Sequence, residues 1–254
     1  MTYTTTTSTI SYDIIRENLL HSHTPLLLLH SALGTRREFN KLTAYYEDRS
    51  IILLDFPSHG DSTTALERLT IHDLAESVHS LLVEELHIPV VDVIGYSMGG
   101  YVAIELALMA PAVVRSIISH AMKFYWTPEA IADAIQGLDP ITIKARSQKG
   151  YDALSMLHQT NGFERTALLA ASIIESFRAR QLSVGDIARL QCPLLLSVGD
   201  RDEMVPPEEV SKLYLELPKT TTYLAIHPTS PHQFAKLDLN SFTTAIREFW
   251  KSLS

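Results

Sequence analysis

The run Gly95-Tyr96-Ser97-Met98-Gly99 places a serine midway between two glycines. An apolar, β-branched stretch, Val91-Asp92-Val93-Ile94, leads into it, and a helical pattern from Tyr101 to Ala110 follows at once. A strand, a very tight turn and a helix N-terminus are what lifting one hydroxyl clear of the backbone requires. Glycines flank the serine because the turn brings two backbones too close for side chains. The first turn of the helix offers free N–H groups and a positive dipole end to negative charge that develops beside Ser97. Gly-x-Ser-x-Gly alone is a weak pattern. Between an apolar strand and a helix it is a specific one.

A serine hydroxyl is a poor nucleophile at neutral pH and needs a base, which in turn needs an orienting acid. Acid candidates stand in Leu194-Leu195-Leu196-Ser197-Val198-Gly199-Asp200-Arg201-Asp202, where an apolar strand ends at a glycine and two carboxylates follow. Base candidates stand in Ile226-His227-Pro228-Thr229-Ser230-Pro231-His232, again just past an apolar strand. Three compatible groups, each beyond a strand's C-terminal end, are far more specific than any one alone. In open α/β sheets that edge is where ligands bind.

The elements that must hold these groups alternate from about Pro25 onward. Leu26 to His30, Ile51 to Asp55, Val90 to Ile94, Val114 to Ser119, Pro193 to Val198 and Thr222 to Ile226 read as strands buried on both faces. Thr9 to Arg16 alternates in part and suggests a leading antiparallel hairpin. Ile71, Leu74, Ala75, Val78, Leu81 and Leu82 fall at helical spacing, with Thr70 as N-cap. Residues from about 127 to 182 break the alternation with helices at Glu129 to Leu138, Ile141 to Gln159 and Phe163 to Arg180. An insertion of that size is expected to be a lid within a single domain spanning 1–254. On the last of these helices Phe163, Ala167, Ala170, Ile174 and Phe177 share a face, which predicts packing onto the main domain more than substrate contact.

With these motifs in order Ser, Asp, His, the chain resembles the α/β-hydrolase-fold superfamily, in its small, single-domain, lidded form, from about Pro25 to Ser254. The resemblance implies a mostly parallel eight-stranded sheet with helices on both faces. It implies Ser97 as nucleophile and His232 as base. Asp202 is the implied acid, because the family's acid falls three residues past the glycine that ends its strand. Some members take the acid from the strand before the lid, but here His120-Ala121-Met122-Lys123 holds no carboxylate. The implied oxyanion donors are the backbone N–H groups of Met98 and Ala32. Ser31 departs from the glycine usual at its position and adds a hydroxyl near the hole. Asp55 to Ser62 resembles the family's loop after the next strand, again with serine in place of a glycine.

Lys123, Phe124, Tyr125 and Trp126 stand where the insertion begins, and Lys123 with Trp126 could recognise a carboxylate or polar group of a substrate. The alternative reading of Lys123 is a solvent-facing lysine on a hinge. His30 is expected to be structural, hydrogen-bonded to backbone. His59, His120 and His158 lack metal-ligand spacing and are read as structural or lid-surface residues.

The chain has 254 residues, 46% hydrophobic content and a formal charge of −8. One globular domain follows. With no basic stripe to neutralise phosphates, nucleic acid is an unsuitable partner. Cys192, the one cysteine, cannot close an internal disulfide. The Thr-rich start carries neither basic residues nor an apolar core, and no apolar run approaches a membrane span, so a cytoplasmic location is expected.

The chemistry expected is hydrolysis of a small carboxylic ester, thioester or lactone through an acyl-enzyme, needing no metal or organic cofactor. Serine at the elbow argues against dehalogenase or epoxide hydrolase chemistry, for which relatives place aspartate there. Two alternatives stand beside it: a C–C bond hydrolase or enol-lactonase acting on anionic intermediates, and a ligand receptor that keeps the triad with little turnover. The partner is a small-molecule substrate, and a monomer or homodimer is compatible with the sequence.

Overall fold

The computed structural model describes residues 1–253. Six of the strands run parallel to one another: β3 (Leu26–Leu29), β4 (Ile51–Leu54), β6 (Val91–Tyr96), β7 (Val114–His120), β8 (Leu194–Gly199) and β9 (Thr222–His227). Two more, β1 (Thr2–Thr4) and β2 (Ser8–Ile15), form the expected antiparallel hairpin, and β2 pairs antiparallel with β4. The eight run in the order β1-β2-β4-β3-β6-β7-β8-β9, and the two-residue β5 (Thr63–Thr64) adds to β2. The sheet is therefore mainly parallel, as the sequence implies.

The continuous apolar runs conceal a strict alternation. Leu27, Leu29, Ile52, Leu54, Val93 and Ile117 face one core, while Leu26, Leu28, Ile51, Leu53, Ile94 and Ile118 face the other. The first is covered by α1 (Ile71–Ser80) and α2 (Met98–Met109). The second is covered by the C-terminal helix, α9 (Leu239–Lys251), through Phe242, Ile246 and Phe249. Thr70 caps α1 in a capping box with Asp73.

Between β7 and β8 the chain makes a helical excursion: α3 (Pro128–Leu138), α4 (Pro140–Arg146), α5 (Gln148–Leu157) and α6 (Phe163–Ser176). The single helix expected over Ile141 to Gln159 is two. Ser147 adopts an extended backbone and its side chain accepts from Gly150 N–H, starting α5 afresh. After the excursion come α7 (Val184–Ala188) and α8 (Pro207–Glu216). Among the described residues no helix is long and apolar enough to cross a membrane.

The order β4-β3-β6 makes the gap between β3 and β6 a topological switch point, since successive crossovers leave β3 in opposite directions. The loop after β3 carries Ala32, and β6 runs directly into Ser97.

Candidate active site

Ser97 is the N-cap of α2, with φ 53 and ψ −114, a conformation that costs an ordinary residue about 1–3 kcal/mol. Its N–H donates to His120 O at 2.8 Å, and its carbonyl accepts from Gly100 N–H at 3.0 Å, fixing the turn from both sides. The flanking glycines are required by space. A Cβ on Gly95 would lie 2.3 Å from Gly99 O, and one on Gly99 would lie 2.0 Å from Leu29 O. Among the described residues the Ser97 hydroxyl makes no hydrogen bond.

The candidate acid and base come from the loops after β8 and β9. His232 Nδ1–H donates to Asp202 Oδ2 at 2.8 Å and to Oδ1 at 3.0 Å, which leaves Nε2 with its lone pair. Asp202 is buried, and its Oδ1 also accepts Met204 N–H at 2.9 Å and Val205 N–H at 2.8 Å. Asp200 has different work, since its Oδ1 accepts Ser230 N–H and ties the two loops together. His227 closes β9, where its Nε2 meets buried Ser197 Oγ at 2.9 Å. That second serine–histidine contact continues to His120 Nδ1, also 2.9 Å from Ser197 Oγ. All three residues are buried, and the carboxylate of Asp202 serves His232.

Ser97 and His232 line one cavity of about 640 Å³, together with Ala32 and Met98. Among the described residues neither the Ala32 nor the Met98 N–H has an acceptor. Unpaired backbone donors at a buried site are rare enough to mark it. The wall is mostly apolar, from Ile71, Tyr101, Leu138, Ile174, Phe177 and Val205, and the charged lining residues are Lys123, Asp133, Arg146 and Glu203.

A family model described as the alpha/beta hydrolase family matches residues 26–236. The chain belongs to the alpha/beta hydrolase family. Among curated proteins it is 28% identical over 208 residues to the dihydrolipoyllysine-residue acetyltransferase component of the acetoin cleaving system of Pseudomonas putida, a match covering 74% of this chain and 55% of that protein. The chain thus spans little more than half the length of that relative. It is 22% identical over 222 residues to Lipase 1 of Psychrobacter immobilis, covering 77% of this chain and 67% of the lipase. Among solved structures, an alpha/beta hydrolase enzyme from a Medee basin deep-sea metagenome superimposes with a TM-score of 0.82 at 16% identity, covering 99% of this chain and 97% of the other.

In this hydrolase-family chain the expected substrate-contacting residues sit differently from one another. Lys123 and Trp126 both line the cavity. The Lys123 ammonium lies 3.3 Å from Glu209, which neutralises it, and 5.9 Å from the Trp126 ring centroid. The Trp126 indole N–H is buried and without a partner among the described residues. The Ser31 hydroxyl donates to Glu38 Oε1 at 2.7 Å. The face shared by Phe163, Ala167, Ala170, Ile174 and Phe177 divides in two: the first three pack with Leu33, while Ile174 and Phe177 line the cavity.

The histidines read as structural, His30, His59, His120 and His158, are all buried. His30 Nε2 accepts Phe56 N–H at 2.9 Å, and its Nδ1–H donates to Ser31 O at 2.8 Å. His158 is fully buried, and does not lie on the surface of the excursion. Its Nδ1 accepts Gly60 N–H and its Nε2–H donates to Leu33 O, both at 3.0 Å. Burial pushes His59 down to about 4 and His120 down to about 3.

Sequence reasoning passes over Tyr96, Glu38 and Arg146. Tyr96 lies inside the quoted motif, but its role depends on a contact 136 residues away. Glu38 and Arg146 belong to no motif, and only the folded chain brings them to the loop after β3 and to the cavity.

Proposed function

We propose that the chain is a serine hydrolase of small carboxylic esters, thioesters or lactones, of the carboxylesterase type. The observation that carries this reading is the convergence on one cavity of the half-buried elbow serine, the Asp202-oriented His232 and two backbone amides without acceptors. Ser97 Oγ attacks the substrate carbonyl carbon as His232 Nε2 takes its proton. Asp202 holds the imidazole in the tautomer that can accept it and stabilises the imidazolium that results. The tetrahedral oxyanion rests on the amides of Ala32 and Met98, each worth about 3–4 kcal/mol where charge develops. His232 then protonates the leaving group. In the second half it activates water against the acyl-Ser97, releasing the acid and free Ser97.

The helical excursion acts as a lid. Leu138, Ile174 and Phe177 roof an apolar volume that suits an acyl chain, and the Trp126 indole N–H offers a donor to a polar group of the substrate. The likeness to a lipase supports ester hydrolysis over the C–C bond hydrolase and enol-lactonase alternatives.

A fluorophosphonate probe and a p-nitrophenyl ester chain-length series, applied to wild type and Ser97→Ala, test the reading. Labelling and turnover that vanish together in Ser97→Ala are expected. Labelling without ester turnover moves the reading to C–C or lactone chemistry. No labelling of folded protein leaves a ligand receptor.

A further inference from the structure

The loop His30-Ser31-Ala32-Leu33-Gly34 has to hold the Ala32 N–H toward the cavity with no acceptor to fix it. It also contains Leu33 at φ 56, a left-handed conformation that a branched side chain adopts only under constraint. The constraint comes from Glu38, five residues beyond Leu33 and seven beyond Ser31. Glu38 Oε2 accepts the Ser31 N–H at 3.0 Å, and Glu38 Oε1 accepts the Ser31 O–H at 2.7 Å. Both oxygens of one carboxylate therefore grip the main chain and the side chain of the residue just before Ala32.

Glu38 is itself well anchored. It lies in a 3-10 turn, Arg36–Phe39, whose Phe39 is fully buried against Phe234 at 5.1 Å between ring centroids. The space it fills belongs to a glycine: a Cβ on Gly34 would lie 2.5 Å from Glu38 Oε2. The pair also explains the serine at position 31, since glycine would supply only the N–H. Burial pushes the Glu38 carboxyl upward, while the Ser31 N–H and O–H donors pull it back.

We propose that Glu38 is a positioning residue for the oxyanion hole, acting through Ser31 to set the direction of the Ala32 N–H. The inference rests on the serine-hydrolase reading above. An oxyanion exists only near the transition state, so a misdirected Ala32 amide lowers kcat and leaves KM alone. A buried side chain with a merely structural role lowers active-enzyme yield and Tm without that split.

The test is steady-state turnover of p-nitrophenyl butyrate, with Tm, for Glu38→Ala, Glu38→Gln and Ser31→Ala. Glu38→Ala is expected to lose kcat by roughly 10- to 100-fold with KM within about twofold. Glu38→Gln should recover kcat to within about threefold of wild type, because its amide oxygen accepts the Ser31 N–H and its NH₂ can donate to the Ser31 hydroxyl. Ser31→Ala, which keeps the N–H contact, should fall between and carries the test if Glu38→Ala does not fold. Wild-type kcat in Glu38→Ala or in Ser31→Ala overturns the proposal, as does a Gln variant as slow as the Ala variant. Turnover that survives Ser97→Ala overturns the underlying reading instead, so the two failures are distinct.

Discussion

The Tyr96 hydroxyl donates to the carbonyl oxygen of His232 at 2.8 Å, across 136 residues of sequence. The residue immediately before the elbow serine thus holds the backbone of the histidine proposed to activate it. Their rings lie 5.5 Å apart between centroids, so the contact fixes orientation as well as distance. The elbow strand and the loop after β9 are coupled by this one side chain.

Tyr96→Phe keeps the ring and removes only the hydroxyl. With His232 less firmly held, kcat/KM for a p-nitrophenyl ester should fall by about 5- to 50-fold while Tm drops only a few degrees, the cost of one buried hydrogen bond of about 1 kcal/mol. An unchanged kcat/KM would show that Asp202 alone suffices to place the imidazole.

The neighbouring carboxylates should separate cleanly. Asp202→Asn puts an amide against His232 Nδ1, favours the wrong tautomer and should lower kcat on the order of 10³- to 10⁴-fold. Asp200→Asn keeps an oxygen able to accept Ser230 N–H and should stay within about fivefold of wild type. Parallel kinetics on the two variants decide the assignment.

Lys123→Ala tests how a neutralised lysine behaves at a cavity wall. The Glu209 pair is partly exposed and worth under about 1 kcal/mol. Discrimination between a neutral ester and one bearing a carboxylate should therefore change less than about threefold. A larger loss confined to the anionic ester would make Lys123 a substrate-binding cation.

Stability should fall on the acid side. Burial lowers the folded-state values of His30, His59, His120, His158 and His227, so none of them readily takes a proton inside the fold. The unfolded chain takes those protons below about pH 6.5. It therefore binds more protons than the native state there, and stability decreases as pH falls, by about 1.4 kcal/mol per pH unit for each such histidine. Above that pH both states hold neutral imidazoles and the dependence disappears. His59→Phe should flatten the slope of Tm between pH 6.5 and about 4 by one proton's share, read by calorimetry over that range. A slope that Phe leaves unchanged would remove His59 from the account.

The elbow and the sheet were legible in the residues because they rest on local rules. Gly95 lets β6 approach α2 and Gly99 lets α2 approach the end of β3, and the apolar runs declare strands buried on both sides. The boundaries of β3, β4, β6, β7, β8 and β9 follow those runs to within a residue or two. The break at Ser147, which divides one expected helix into α4 and α5, falls in a polar stretch, Arg146 to Lys149, with no apolar residue to mark where one helix stops and the next is capped.

What only the tertiary structure decided is which polar groups meet. Asp200 and Asp202 are chemically alike and two residues apart, and their different partners, Ser230 N–H and His232 Nδ1, exist only once the loops after β8 and β9 are packed together. Ser31 and Glu38, Tyr96 and His232, and Leu33 and His158 are joined in the same way. Periodicity encodes which face of an element is buried, because that depends on near neighbours in sequence. A hydrogen bond between distant residues depends on directions and distances to within a few tenths of an ångström, which the packing of the whole chain sets.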